Sequence, residues 1–377
     1  MQNLTEVDLA LVFSRGTSIV MWKKYGHFDR EMKQIVSLAA SVNSVTLFTY
    51  DAKELNIGDF TNKLPSNIKI IPMHRYPWST FATSIFFPLL NYRKFHQIKV
   101  WKSQQADGAW TALIFSKLTR SKFYFRQGFR WSEFLRQRRK WVKYFIVLFC
   151  EYILVKYSDI CVITSETDMS NMNSLYGHQK VQLLANWAYD ENMPESIKKT
   201  YDAQHLKCCF IGRITKEKNV DYIIEFIQSL ENFYLDLYGL IFDDLEIPTQ
   251  IDKERICFKG QVQNNTLQSN LQNYDFIILL SKMEGHPKAL IEAMANGVVP
   301  ICTGAPGIKQ IIINKFNGFL ISGNNINRDK NMIYNYLNTS NLSQISDNAK
   351  ETVKNLSLQK VIQSEINLLE SAIFDKQ

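Results

Sequence analysis

The strongest constraint on the fold is an alternation of short apolar runs with segments of helical period, which occurs twice along the 377 residues. Strands that alternate with helices predict a parallel sheet with helices on both faces. A polar segment, ANWAYDENMPESIKKTYDAQ, interrupts this alternation near residue 190. The chain is also long for a single hydrophobic core. The sequence therefore predicts two α/β domains, each a doubly wound sheet.

In the first half, the apolar run VDLALVFS begins the pattern. Further strands are predicted at 44–50, 68–73, 122–128 and 159–166, and helices at 28–41, 108–118 and 131–157. In the second half, the strands are KCCFIGR, FYLDLYG, RICFKG, 274–281 and 298–303, with helices at NVDYIIEFIQSL and 287–296. We expect an N-terminal domain over 1–187, a second over 188–356, and a C-terminal helix over 357–377 that packs back towards the first.

The charge of the chain is unevenly distributed. The net charge is +8, with +11 in residues 1–190 and −3 in the remainder. A basic first half suits an anionic partner, namely membrane lipid, an acidic substrate or nucleic acid. No RNP, KH or helix-turn-helix signature is present, so we expect no nucleic acid.

Cysteine usage and hydropathy indicate the compartment. The six cysteines form no CxxC pair, which favours reduced free thiols and no zinc site. The N-terminus lacks the basic segment and apolar region of a signal peptide, and the longest apolar runs are too short to span a bilayer. We expect a cytoplasmic protein, peripheral on the inner face of the membrane if it binds lipid.

Two strand ends in the second half carry ionisable residues. In FIGRITKEKN, the strand ends at Gly212, and Arg213 and Lys218 lie on the loop that enters a helix. Cations beside a helix N-terminus form an anion site, although a solvated basic loop has the same appearance. In EGHPKALIEAMANG, Glu284 precedes a helix and Glu292 lies within its apolar surroundings.

Burying an unpartnered carboxylate costs several kcal/mol, so Glu292 must have a hydrogen-bonding partner. The alternatives are ligand hydroxyls, a basic side chain or backbone amides. A third strand end, CTGAPG, has Gly304 and Gly307 at a turn that frees backbone amides. Cations, helix N-termini and two carboxylates together suit a nucleotide sugar. The cations and amides match the diphosphate, and the carboxylates match the ribose and sugar hydroxyls.

The segments GRITKEKN and EGHPKALIEAMANGVVPICTGAPG resemble the GRxxxxKG and EG-P--L-EAMA-G motifs of glycosyltransferase family 4. Members are retaining enzymes of GT-B fold, with two Rossmann-like domains facing each other across a cleft. The resemblance is strong over 205–325. It departs at Asn219, where the family usually has glycine and where asparagine can cap the following helix.

The resemblance implies a role for each matching residue. Arg213 and Lys218 would neutralise the donor diphosphate, Glu284 would hold hydroxyls of the transferred sugar, and Glu292 would bind the ribose. Of these four residues, the catalytic candidates are Arg213, Lys218 and Glu284, whereas Glu292 belongs to the donor-binding set. The donor-binding set further includes Gly16, Gly212, Gln261, Val262, Gly285, His286, Pro287, Lys288, Ala289 and Leu290. The backbone at Gln261 and Val262 would meet the base.

In this family the first domain binds the acceptor. Arg126 lies near the end of the strand predicted at 122–128, and Arg130 follows it. Both are acceptor-side candidates, or else they pair with Asp107 or Glu133. The helix predicted at 131–157 has a basic first half and an aromatic, apolar second half. It is either a membrane-surface helix that reaches lipid-linked acceptors or a core helix with a solvated basic start.

The resemblance implies a hexosyltransferase that moves a sugar from a UDP- or GDP-linked donor to a glycan or lipid-linked acceptor in surface polysaccharide biosynthesis, with retention. No DxD triplet occurs, so we expect neither a metal nor another cofactor. The alternatives are a nucleotide-sugar epimerase of the same fold and a basic nucleic-acid-binding protein. NAD and ATP enzymes are disfavoured because GxGxxG and GxxxxGK[ST] are absent.

Overall fold

The computed structural model describes residues 3–51, 64–73, 79–128, 130–177, 181–187, 189–190, 200–242 and 251–374. The chain divides into two compact units. The first comprises Met1–Ala185 with Val361–Gln377, and the second comprises Asn186–Lys360. Part of the predicted linker, 191–199, lies outside the described residues.

The first unit is built on a parallel sheet, in which seven described strands have the order β3-β2-β1-β4-β5-β6-β7. Its strands are β1 (Asp8–Val12), β2 (Ser44–Thr49), β3 (Ile68–Pro72), β4 (Val100–Ser103), β5 (Lys122–Gln127), β6 (Ile160–Ile163) and β7 (Val181–Leu183). Its helices before the linker are α1 (Ile19–Lys24), α2 (Phe28–Ala39), α3 (Thr80–Asn91), α4 (Ala109–Thr119), α5 (Trp131–Gln137), α6 (Trp141–Tyr157) and α7 (Glu166–Tyr176).

The second unit has a parallel sheet of six described strands in the order β10-β9-β8-β11-β12-β13. Its strands are β8 (Leu206–Ile211), β9 (Phe233–Tyr238), β10 (Ile256–Gly260), β11 (Phe276–Leu279), β12 (Val299–Thr303) and β13 (Phe319–Ile321). Its helices are α8 (Val220–Ser229), α9 (Asn264–Leu271), α10 (Lys288–Ala295), α11 (Pro306–Lys309), α12 (Ile326–Thr339) and α13 (Leu342–Val353), and the last helix, α14 (Leu358–Phe374), passes into the residues of the first unit.

Both sheets confirm the predicted doubly wound α/β architecture. The central strands β11 and β12 of the second sheet are almost wholly buried, as expected for parallel strands covered on both faces, and residues 208–210 of β8 are buried beside them. In the first sheet, alternate residues such as Ala10 and Val12 pack with Phe87 of α3, Phe115 of α4 and Val155 of α6. These helices therefore cover the same face of the sheet.

The single helix predicted over 131–157 is wrong, because the chain breaks between α5 and α6. Arg139 takes a left-handed conformation, with φ of 54°. The amide of Lys140 donates to the carbonyl of Leu135 at 3.0 Å, and that of Arg139 to Arg136 at 3.0 Å. This is a Schellman-type helix end, which usually has glycine at the left-handed position. An arginine there gives no sequence signal for a break.

The described helices include none with both the length and the apolar character that crossing a bilayer requires.

Candidate functional site

The two ionisable loops predicted from the sequence meet at the carboxyl edge of the second sheet. Lys218 ends a short 3-10 turn, Lys216–Lys218, between β8 and α8, and Glu284 lies in the loop between β11 and α10. Lys218 Nζ lies 2.5 Å from Glu284 Oε1. The loops also join through the backbone, since the amide of Lys282 donates to the carbonyl of Glu217 at 3.2 Å. The edge therefore presents an ion pair where ligands bind in open α/β sheets.

Asn219, which directly follows Lys218, has a different role from the predicted helix cap. Its backbone is left-handed, with φ of 58° and ψ of 36°, and its side chain makes no cap hydrogen bond to α8. The side-chain amide instead donates to the carbonyl of Gly323, beyond β13, at 3.0 Å. The family's glycine and this asparagine share one property, because both tolerate the left-handed region. Asparagine therefore fits the left-handed turn that directly follows Lys218.

The loop that carries Glu284 rests on the first turn of α11, which contains Gly307. The amide of Gly307 donates to the carbonyl of Glu284 at 3.1 Å. A Cβ on Gly307 would lie 1.7 Å from the carbonyl oxygen of Gly285, so only glycine allows this approach. The predicted role of this glycine, a free amide for a phosphate, is wrong because the amide is used inside the protein. Its function is to hold the Glu284 loop in place.

Glu292 is buried as predicted, with 2% of its surface exposed. It lies in α10 beside the fully buried Leu290 and Ile291. The helix begins at Lys288, one residue later than predicted, with Pro287 as its N-cap. It ends before Gly297, whose φ of 70° confirms the predicted left-handed stop.

The N-terminus of α10 faces the same loop. First-turn N–H groups of an α-helix have no acceptor within the helix, so those of Lys288, Ala289 and Leu290 are suited to an anion. The Leu290 side chain is fully buried, which leaves only its backbone for a ligand. The carbonyl of His286 accepts a hydrogen bond from Asn186 Nδ2 at 3.2 Å.

The other predicted donor residues lie at neighbouring strand ends. Arg213 directly follows Gly212 after β8 and is exposed, with its guanidinium carbon 6.0 Å from the ring centre of Phe242. Gln261 and Val262 follow β10 and are half-buried. The strand they follow lies two places from β8 in the sheet order, so they lie at the same carboxyl edge.

In the first unit, Gly16 lies in the loop after β1 with φ of 73°. Its neighbour Arg15 binds Asp107, with Nε 2.9 Å from Oδ1. Arg126 is buried near the end of β5, and its Nη1 donates to the carbonyl of Gln104 at 3.3 Å.

Arg130 is also buried, and its partner is one that the sequence did not indicate. Its Nη2 lies 3.6 Å from Glu151 Oε2 in α6, whereas Glu133 binds Arg136. The predicted pairing of Arg130 with Asp107 or Glu133 is therefore wrong. No local pattern in the sequence connects Glu151 to Arg130.

The sequence also did not indicate a buried ion pair between Lys102 of β4 and Glu365 of α14. Both side chains are almost fully enclosed. Burial lowers the pKa of Lys102, and it raises the pKa of the adjacent Tyr124 well above its usual value. The two charged residues are 263 positions apart, so no sequence spacing connects them.

The sequence profile described as Glycosyl transferases group 1 matches residues 194–352, which include the ion pair, Asn219 and α10. These residues form a glycosyl transferases group 1 domain. An uncharacterized glycosyltransferase of Methanocaldococcus jannaschii is 28% identical over 156 residues, 41% of this chain and 44% of that protein. A UDP-Gal:alpha-D-GlcNAc-diphosphoundecaprenol alpha-1,3-galactosyltransferase of Escherichia coli is 28% identical over 38% of this chain and 40% of its own length. The aligned segments thus span less than half of these two relatives.

The solved structures extend the likeness beyond the group 1 domain. The crystal structure of Anabaena HepE in complex with UDP matches with a TM-score of 0.71 and 13% identity, over 97% of this chain and 100% of that one. At this identity the likeness concerns the fold. It confirms the predicted GT-B fold class for a chain that carries a group 1 domain.

Proposed function

We propose that this chain is a retaining hexosyltransferase, which moves a sugar from a UDP- or GDP-linked donor to a glycan or lipid-linked acceptor in surface polysaccharide biosynthesis. The observation that carries the proposal is the Lys218–Glu284 ion pair at the carboxyl edge of a group 1 domain. The E. coli relative is named for galactosyl transfer from UDP-Gal to a diphosphoundecaprenol-linked sugar, and the HepE structure contains UDP. Both names support a nucleotide-sugar donor.

The proposed chemistry begins with departure of the nucleoside diphosphate from an oxocarbenium-like sugar. Lys218 and Arg213 stabilise the negative charge that develops on the leaving diphosphate, together with the first-turn amides of α10. Glu284 accepts hydrogen bonds from sugar hydroxyls and fixes the ring for attack. The departing phosphate takes the proton of the acceptor hydroxyl, so no side-chain base is assigned.

At the other end of the donor, Glu292 accepts hydrogen bonds from the ribose hydroxyls. Its burial strengthens such a contact, because the carboxylate has little water to compete with the ligand. The backbone of Gln261 and Val262 meets the base. On the acceptor side we retain Arg126 and Arg130 as candidates, and the loop at Gly16 as a further approach to the donor phosphate.

We also propose that transfer needs no metal ion, since two protein cations take the place of one at the diphosphate. Activity should survive EDTA, and a rate that falls on chelation and returns with Mg²⁺ or Mn²⁺ would disprove this part. The proposal requires no other cofactor. We place the enzyme in the cytoplasm, at the inner face of the membrane.

The deciding experiment has two steps. Calorimetry of the full chain against UDP- and GDP-sugars identifies the donor, and the bound donor is then incubated with lipid-linked and free glycan acceptors. Release of nucleoside diphosphate that requires acceptor, with an α-linked product from an α-linked donor by NMR, is the expected result. Release without acceptor, accompanied by an isomerised sugar, would identify an epimerase instead. No binding of any nucleotide sugar would refute both.

A further inference from the structure

The outward face of α6 is apolar. Val142, Phe145, Ile146 and Phe149 follow the i, i+3, i+4, i+7 spacing of one helical stripe. Their exposed fractions are 76%, 62%, 58% and 64%, respectively. Core helices place such a stripe against the protein, whereas α6 places it towards solvent.

Helix α3 adds a second apolar face on the same side of the first sheet. Leu89 and Leu90 at its end are exposed by 44% and 63%. Both α3 and α6 pack against α4, and their inner residues, Phe87 and Val155, belong to one hydrophobic cluster. We call the six outward residues the α3–α6 surface: Leu89, Leu90, Val142, Phe145, Ile146 and Phe149.

Cations are concentrated where the apolar face of α6 begins. Segment 131–150 contains one acid, Glu133, and five basic residues. The five are all exposed: Arg136, Arg138, Arg139, Lys140 and Lys143. The left-handed break at Arg139 gathers them at the corner between α5 and α6 instead of distributing them along one helix. We call these residues the basic corner.

The inner side of α6 is fixed to the first unit by Glu151. Its carboxylate accepts hydrogen bonds from Ser132 Oγ at 2.7 Å, Gln127 Nε2 at 2.9 Å and Tyr176 Oη at 3.1 Å. Arg130 lies 3.6 Å away, in the loop between β5 and α5. The other three partners belong to α5, β5 and α7, respectively. A buried carboxylate with several donors resists displacement. The outward direction of the apolar stripe is therefore set by the interior.

We propose that the α3–α6 surface and the basic corner dock this protein on an anionic lipid bilayer, with α6 lying in the plane of the interface. Apolar residues enter the boundary between headgroups and acyl chains, and the cations meet lipid phosphates. Trp141 and Tyr152, both exposed on α6, are side-chain types that favour this depth. The docking proposal rests on the geometry of this surface alone. Only the inference that docking brings the protein to a lipid-linked acceptor rests on the proposed function.

Charge argues against a second copy as the occupant. A parallel copy would bring two basic corners together. An antiparallel copy would place each corner against the far end of α6, where Lys156 is exposed and the nearby acid, Asp159, already pairs with Lys122 of its own chain. Neither arrangement matches five cations with as many acids, whereas anionic lipid does.

The test is co-sedimentation of the full chain with vesicles of phosphatidylcholine alone and of phosphatidylcholine with phosphatidylglycerol, without any sugar nucleotide. We expect binding to the mixed vesicles only. The variant Arg138→Gln/Lys140→Gln/Lys143→Gln should weaken binding on the order of 100-fold, from about fivefold per charge. Phe145→Ser/Phe149→Ser should also abolish sedimentation with the vesicles. Folding is checked by circular dichroism.

Two matched variants control for total charge and apolar area. Lys253→Gln/Lys354→Gln/Lys360→Gln removes three exposed charges from the second unit, and Phe258→Ser/Phe316→Ser removes two exposed aromatics there. Both should bind like the wild type. Absence of wild-type binding, or equal loss in the controls, would overturn the proposal. So would a wild-type dimer in analytical ultracentrifugation that Phe145→Ser/Phe149→Ser dissociates. Nucleotide binding is measured separately, so failure here leaves the transferase proposal standing.

Discussion

The ammonium of Lys218 lies 2.5 Å from the carboxylate of Glu284, so two residues assigned to different parts of the donor neutralise each other in the free chain. A diphosphate that binds at this edge competes with Glu284 for the same cation. Under the proposed function, donor binding would release the carboxylate from its role as counter-ion, and it would then accept hydrogen bonds from sugar hydroxyls. The ion pair keeps both side chains in position before the donor arrives.

The pair predicts opposite effects on nucleotide binding for its two members. Lys218→Met should weaken UDP or GDP binding about 10- to 100-fold, the equivalent of one hydrogen bond to a charged group. Glu284→Gln should keep or increase that affinity, because it removes a competing negative charge, while transfer slows by roughly 10²- to 10³-fold. Calorimetry with the nucleoside diphosphate and initial rates with the full donor measure the two effects. Equal loss of nucleotide affinity in both variants would contradict the assignment.

Glu292 is assigned to the ribose, and a pair of ligands tests this directly. Wild-type protein should bind UDP or GDP more tightly than the 2′,3′-dideoxy nucleotide by about 10- to 100-fold. In Glu292→Gln, which preserves shape, this ratio should shrink towards one. A ratio that is unchanged by the substitution would place the ribose elsewhere. Thermal unfolding of the variant checks that the fold around this buried side chain remains intact.

Asn219 provides a test of backbone conformation separate from chemistry. Asn219→Ala should lower the free energy of unfolding by about 2–3 kcal/mol, from a non-glycine residue forced into the left-handed region and a lost hydrogen bond to Gly323. Asn219→Gly loses the same bond but tolerates that region, so its stability should stay within about 1 kcal/mol of the wild type. Urea unfolding compares them. Equal destabilisation by the two variants would show that the hydrogen bond, and not the backbone, dominates.

Gly307 should tolerate no side chain. Gly307→Ala places a Cβ 1.7 Å from the carbonyl oxygen of Gly285, which must move the loop that carries Glu284. We expect donor turnover to fall by roughly 100-fold, the effect of misplacing a site by about 1 Å. Gly304→Ala is the matched control in the same turn, because its Cβ would meet the flexible end of the Lys309 side chain. Turnover in Gly304→Ala should stay close to wild type, and comparable loss in both would implicate the turn generally.

Thiol reactivity reports the interior of both sheets. Burial raises the pKa of Cys161 to about 12 and holds the pKa of Cys208 and Cys302 far above the ordinary thiol range. These thiols stay protonated and covered at pH 8, so iodoacetamide should not modify them in the native protein. The half-buried Cys257 and Cys150 should react, and the reaction of Cys150 is slowed because burial raises its pKa. Peptide mass mapping before and after denaturation checks this, and native labelling of Cys302 would indicate an open second sheet.

Local patterns in the sequence were sufficient for the doubly wound sheets and for the group 1 motifs. Apolar runs with helical segments between them indicate parallel strands without knowledge of long-range contacts. The burial of Glu292 followed in the same way, since its helix is apolar around most of its circumference. The stop at Gly297 followed from a glycine after the last helical turn.

Contacts between distant residues were decided only by the tertiary structure. The Lys218–Glu284 pair joins two loops 66 positions apart, and Glu151 of α6 binds Arg130 of the loop before α5. The left-handed conformation of Arg139 and the close contact between Gly307 and the carbonyl of Gly285 depend on how the surrounding backbone packs. Periodicity specifies which face of a helix or strand is apolar, but it does not specify which charged side chains meet. That choice is made when the ends of parallel strands are brought to one edge of a sheet.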